Sequence, residues 1–219
     1  MYRKELTYYF STPIAYVVIG LYLLTVSLFL WVIPGEWNII DSGYADVNGL
    51  FALSPWLLML LCPALTMRLF SDEKQSGMWD LLLSKRVPVS RIVWSKYLAA
   101  WTLTAVSILP CVVHFIVVWH IAEPQGNVDG GAFAGSMVGL LFLSAAFTAV
   151  GLLASSWSGN QIVSFLCGAV ACFALYWLTL QEHFNSLSRG VIDLRDVIFF
   201  LSVALVGIVL TMLVVSRRK

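Results

Sequence analysis

Short polar breaks divide a long apolar pattern along this chain. No Asp, Glu, Lys or Arg occurs from Leu6 to Gly35, from Val47 to Met67, from Tyr97 to Ala122 or from Val197 to Ser216, gaps of 30, 21, 26 and 20 residues. Each accommodates one helix of about 20 residues, enough to cross a ~30 Å hydrocarbon layer. A fifth gap, Gly130 to Gln181, runs for 52 residues and is broken by Ser155-Ser156-Trp157-Ser158-Gly159-Asn160, a small, polar, turn-forming cluster. Two helices fit there. The expected fold is an all-α integral membrane protein, one domain over residues 1–219 with six spans. The spans fall at about Ile14–Ile33, Gly49–Leu69, Ile92–Ile121, Ala132–Ala154, Ile162–Leu180 and Val197–Ser216. Barrel strands would instead alternate every second residue over shorter stretches.

Composition agrees: 60% of residues are hydrophobic, 11% are charged, and the mean hydropathy is +0.87. A soluble domain carries about 25% charged residues. Thirteen Lys and Arg against twelve Asp and Glu leave no basic excess for phosphate neutralisation, so no nucleic-acid partner is expected. The four cysteines, Cys62, Cys111, Cys167 and Cys172, all lie in apolar runs, unlike a disulfide framework. The first apolar run is too long for a signal-peptide core and ends without a small-residue cleavage site, so it is expected to be retained. With six spans, 11 of the 13 Lys and Arg fall on the side of the termini, and only Arg189 and Arg195 on the other. Cytoplasmic loops carry the Lys and Arg excess. Both termini are therefore expected in the cytoplasm.

Four segments stand out. Tyr2, Leu6, Tyr9 and Phe10 recur at helical spacing beside Arg3, Lys4 and Glu5, and Pro13 breaks the pattern. This fits a helix along the cytoplasmic interface, the alternative being an extended start to the first span. The second segment is the connection Arg68–Arg91. There Ser71 with Asp72 and Glu73 predicts a helix start, Gly77 interrupts, and a second short helix runs from Met78 to about Lys85 before Pro88. Its stripe of Met78, Leu81, Leu82 and Lys85 suits either a groove in a partner or a flat position on lipid head groups. The third segment, Glu182–Asp196, holds too many apolar residues for a free loop and is expected to pack back as short helices. Arg189 and Arg195 beside Asp193 and Asp196 suggest local pairing. Last, Gly131, Gly135 and Gly139 form a small-residue repeat at the start of the fourth span, which favours close helix packing, by default within the chain.

Catalytic patterns are not found. No lysine follows a glycine, so no phosphate-cradling G-x-x-x-x-G-K-[ST] loop exists, and neither H-E-x-x-H nor G-x-S-x-G occurs. His114, His120 and His183 are scattered and are expected to be packing or interfacial residues. Neither a catalytic residue, nor a metal site, nor a cofactor is expected. No charge lies near the centre of a predicted span, which disfavours an ion-coupled carrier. Pro63 and Pro110 lie inside predicted spans and can kink them.

One stretch, Phe70-Ser-Asp-Glu73-Lys-Gln-Ser-Gly77-Met-Trp-Asp80-Leu-Leu-Leu83, is followed by Pro88 and Lys96-Tyr-Leu-Ala-Ala100. With Ser188-Arg189-Gly190-Val191-Ile192-Asp193 before the last span, the chain resembles the permease subunit of a type-2 ABC transporter over essentially its whole length. Lys4-Glu5-Leu6 and Ser11-Thr-Pro13-Ile-Ala-Tyr16 make it most similar to the gliding-motility-associated branch. Met78 stands where the family often has Thr. The resemblance implies a non-catalytic half-size permease that exports substrate, with a second copy or a related permease completing the pathway in the lipid bilayer. Two cytoplasmic ABC ATPase subunits would dock on the coupling helix, through Glu73, Gly77, Met78, Asp80, Leu81 and Leu82. The outer segment, with Arg189, Gly190 and Asp193, would match the short re-entrant helices that close the pathway. The alternative is a membrane scaffold that uses the same cytoplasmic helix to hold a partner without transport.

Overall fold

The computed structural model describes residues 2–75, 77, 88–190 and 193–217. The chain folds as α1 (Tyr2–Ser11), α2 (Pro13–Trp31), a short α3 (Ile39–Ser42), α4 (Asn48–Gln75) and α5 (Val89–Ile108). A 3-10 turn at Leu109–Cys111 leads into α6 (Val112–Ile121), followed by α7 (Gly130–Trp157) and α8 (Gln161–Leu175). A π turn at Tyr176–Leu180 joins α8 to α9 (Gln181–Leu187), and α10 (Leu194–Ser216) ends the chain. Five helical segments are long and apolar enough to cross a membrane: 48–75, 89–121, 130–157, 161–187 and 194–216. Taken together, α1 and α2 make a sixth, bent by 68° between them.

The bend follows from local chemistry. Thr12 is extended at the N-terminal cap of α2, and Pro13 occupies the first turn, where its missing N–H costs nothing. Ser11 and Thr12 hydroxyls donate to the carbonyls of Tyr8 and Tyr9, satisfying the end of α1. The interfacial helix read from the sequence is thus a separate element. Pro110 likewise tightens the chain into the 3-10 turn between α5 and α6, whereas Pro55 and Pro63 stay inside an unbroken α4.

At the centre of the bundle lies α7, with 78% of its most apolar stretch buried against 28% for α10. It packs on α4, α5, α8, α9 and α10. Its many Gly, Ala and Ser residues allow that. A Cβ on Gly151 would strike the Thr66 hydroxyl and sit 3.2 Å from Pro63 Cα, so α7 and α4 pack nearly backbone to backbone. Gly168 on α8 meets Pro63 Cβ at 3.1 Å, and Gly207 on α10 meets Ala149 at 3.0 Å. Buried Thr66, Thr104, Ser107, Thr148 and Thr211 each donate to a carbonyl one turn back, leaving no bare hydroxyl in an apolar interior. Apolar side chains of α2, α8 and α10, among them Leu21, Leu24, Leu166, Val170, Leu205 and Val209, are exposed as a lipid-facing band.

Three expectations change. No helix starts at Ser71, because α4 runs through Ser71, Asp72 and Glu73 to Gln75. The fifth span does not stop at Leu180 but continues helically to Leu187. The acids near Arg189 and Arg195 do not pair with them. Asp193 caps α10 by accepting from the Arg195 N–H at 3.0 Å, and Asp196 binds His183 at 2.7 Å.

Candidate functional site

Two clusters of special geometry sit at opposite ends of the bundle, here termed the α1 end and the α9 end. At the α1 end, the last two turns of α4 are held by the serine-rich turn between α7 and α8. Ser155 Oγ accepts from the Phe70 N–H at 3.2 Å and donates to the Met67 carbonyl at 2.9 Å. Ser71 Oγ is 2.8 Å from Ser164 Oγ. Lys74 donates to the Ser156 carbonyl, Gln161 donates to the Asp72 carboxylate, and Gln75 Nε2 donates to the Gly159 carbonyl at 2.9 Å. The polar cluster that looked like a simple turn is a clasp around the root of the 76–87 connection.

Beside it, Lys96 of α5 is buried, with 3% of its side chain exposed. Its ammonium lies 2.6 Å from Glu73 Oε1, 2.9 Å from the Leu69 carbonyl and 3.7 Å from Glu5 Oε1 of α1, and 5.4 Å from the centre of the Phe70 ring. A buried ammonium is tolerable only with such compensation. Two further bonds fix α1 here: Tyr9 donates to the Leu65 carbonyl at 3.0 Å, and the Tyr2 hydroxyl lies 3.0 Å from Thr102 Oγ1.

Among the residues expected to couple to an ATPase, Glu73 therefore faces Lys96 inside the bundle. Gly77 has φ +67°, and its N–H reaches back to the Lys74 carbonyl at 3.4 Å. Glycine adopts that left-handed conformation without a steric penalty, which accounts for the interruption read at this position. α4 consequently ends at Gln75 and does not run on unbroken through Gly77. Met78, Asp80, Leu81 and Leu82 lie outside the described residues, as do Val191 and Ile192.

At the α9 end, the glycine repeat meets the 182–190 segment. A Cβ on Gly135 would lie 2.6 Å from the Leu187 carbonyl oxygen and 2.9 Å from Gly190 Cα. On Gly139 it would meet Leu187 and the Phe184 ring at 3.3–3.4 Å. Gly131 takes part through its backbone, since a Cβ on Gly190 (φ +83°) would meet Gly131 C at 3.0 Å and Ala132 N at 2.9 Å. The repeat thus packs within the chain, on α9 and the turn after it. Arg189 sits in that turn, its N–H bonded to the Ser186 carbonyl at 3.3 Å, and Ser136 Oγ donates to the Ser188 carbonyl at 3.4 Å. The His183 ring stacks 4.0 Å from Phe199 while Nδ1 holds Asp196, tying α9 to the start of α10.

The sequence named Glu5 and Lys96 only within motifs and the serine cluster only as a turn; their contacts with the end of α4 were missed. Lys96 carried a signal: a lone lysine one turn inside an apolar run, opposite an acid at the end of the preceding span. Of the remaining histidines and cysteines, His120 and Cys167 are exposed, while Cys62, Cys111 and Cys172 are buried in the core. His114 accepts from Trp31 Nε1 at 3.0 Å, and all four cysteines are free. Among the described residues no group of three or more His, Cys, Asp or Glu converges on a point that could hold a metal.

No curated protein matches the chain at a significant level. The family model described as "ABC-2 family transporter protein" matches residues 44–216, most of the chain, including both the α4–α5 root and the glycine-lined segment around α9. The match leaves α1 and α2 outside it. Multiple apolar helices around a small-residue core, together with this match, make the chain a multi-pass membrane permease component that belongs to the ABC-2 family of transporter proteins.

Proposed function

We propose that the chain is the non-catalytic half-size permease of an ABC exporter in a bacterial inner membrane, nearest to the gliding-motility-associated branch. Two copies, or this chain and a related one, form the substrate path. Two cytoplasmic ATPase subunits dock on the segment Glu73–Leu83 of each. The carrying observation is the clasp at the root of that segment. Because α4 is bonded there to the 155–161 turn and to Lys96, a push on the 76–87 connection displaces α4, α5, α7 and α8 together instead of fraying α4. Rigid-body transmission of this kind suits closure of an ATPase dimer below the membrane. The α9 segment, packed on Gly135 and Gly139, closes the opposite end of the path.

Topology is the first test. Reporters fused after Asn48, Gly126 and Ser188 are expected to report the outer side, and those after Ser84 and Lys219 the cytoplasm. A cytoplasmic signal after Gly126 contradicts the six-span topology.

Docking is the second. Permease purified from native membranes should bring vanadate-sensitive ATP turnover with it. Leu81→Glu/Leu82→Glu places two charges on the apolar stripe. Co-purifying turnover is expected to fall at least about tenfold, equivalent to roughly 1.4 kcal/mol of binding free energy, while the chain remains inserted. Unchanged turnover would move the docking site elsewhere.

A further inference from the structure

Of the three close ion pairs among the described residues, two share the ammonium of Lys96, and their acids come from different helices. Glu73 ends α4, whereas Glu5 lies on α1, which the chain joins to the bundle only through Thr12 and α2. We propose that Lys96 is a positioning residue that makes α1 a second output of the coupling segment. When the 76–87 connection is displaced, the Glu73–Lys96–Glu5 triad carries the movement sideways into α1. The 68° junction at Thr12 then turns it into a tilt of α2.

Three observations support this. The ammonium is buried, so its hydrogen bond to Glu73 and its ion pair with Glu5 are screened less by solvent than surface pairs are. The same group also holds the Leu69 carbonyl and lies near Phe70, which fixes it to the last turns of α4 whatever α1 does. Tyr9 bonds α1 to Leu65 of α4 at one end and Tyr2 bonds it to Thr102 of α5 at the other, and α1 packs chiefly on α5. The acid on α1 is thus the charged link between that helix and the coupling root, and it lies outside the region the family model covers.

The inference rests on the docking role proposed for the 76–87 connection, and the test separates the two. Spin labels are placed at Tyr8→Cys on exposed α1 and Leu194→Cys at the exposed start of α10. The background is Cys167→Ala, since the other three cysteines are buried. In phosphatidylethanolamine–phosphatidylglycerol vesicles containing the permease–ATPase complex, the label distance is expected to shift between the nucleotide-free and the vanadate-trapped state. In Glu5→Gln and Lys96→Met that shift is lost while ATP turnover continues; Lys96→Arg keeps it. A purely structural role for Lys96 would lower stability without uncoupling turnover from the shift. If Lys96→Met does not assemble, Glu5→Gln, which leaves the Lys96–Glu73 pair intact, decides the matter. A shift that persists in Glu5→Gln overturns the proposal, as does a turning-over wild-type complex with no shift. If the wild type captures no ATPase, the docking proposal fails instead. The linkage is then read in the permease alone, where Glu5→Gln should broaden a narrow wild-type distance and an unbroadened one refutes it.

Discussion

Lys96→Met is expected to lower the stability of the permease by about 3–5 kcal/mol, the cost of removing one partner from a buried ion pair. The reason lies in what remains. Glu73, with 17% of its side chain exposed, would keep a carboxylate facing the space the ammonium leaves, and the Leu69 carbonyl would lose its donor. Methionine nearly fills the volume but offers no proton. Thermal unfolding in detergent, followed by tryptophan fluorescence, should show a clearly lower Tm for Lys96→Met than for the wild type. Lys96→Met/Glu73→Met should recover part of the loss, because only Glu5, with 22% of its side chain exposed, is then left without its partner. Equal melting of Lys96→Met and wild type would mean that the triad is solvated and contributes little.

Gly135→Val is expected to be the most damaging change at the opposite end. Its Cβ would meet the Leu187 carbonyl oxygen at 2.6 Å and Gly190 Cα at 2.9 Å, both backbone atoms that no rotamer change can move aside. Overpacking a tight site costs roughly 1–3 kcal/mol, and a clash with backbone belongs at the upper end. The outer segment would have to lift away from α7, exposing Phe184 and Leu187. Protease cleavage between Ser188 and Leu194 should accelerate, together with a fall in Tm. Gly20→Val is the control, since nothing lies within 4 Å of its added Cβ. Equal cleavage rates in Gly135→Val and Gly20→Val would contradict the packing described.

The pattern of charges was enough to place the long helices, because a membrane core admits so few alternatives to a continuous apolar helix. The separate N-terminal helix was also legible, through Pro13, and so was the break at Gly77. What escaped was everything that depends on a partner from another helix. Ser71, Asp72 and Glu73 have the composition of a helix start, yet they form a helix end, because their polar atoms find Ser164, Gln161 and Lys96 across the bundle. Asp193 and Asp196 have arginines as sequence neighbours, but the carboxylate of one accepts from the Arg195 backbone N–H and that of the other is held by a histidine thirteen positions earlier. Gly151, Gly168 and Gly207 are unremarkable in an apolar run; only Pro63 and Ala149 on neighbouring helices give them meaning. At the root of the proposed coupling segment, the sequence pointed to Glu73 and Gly77, whereas Lys96 entered only through the charge balance and the Lys96–Ala100 motif, with no partner assigned to it.

The π turn at Tyr176–Leu180 has a consequence for the outer segment. Ser164, Gly168, Cys172, Tyr176, Leu180 and Phe184 are all buried, and they recur at every fourth residue. In a regular α-helix of 3.6 residues per turn, each step of four drifts about 40° around the axis, so five steps would carry the row to roughly the opposite side. A wider turn absorbs part of that drift, and the extra residue it accommodates acts like a spacer in a thread. Deleting one residue from this turn would rotate everything beyond it by about 100°. Phe184 and Leu187 would then face away from Gly135 and Gly139, while His183 would lose Asp196. The register of a single helical turn midway along the fifth span thus decides whether the far end of the permease is capped or uncovered.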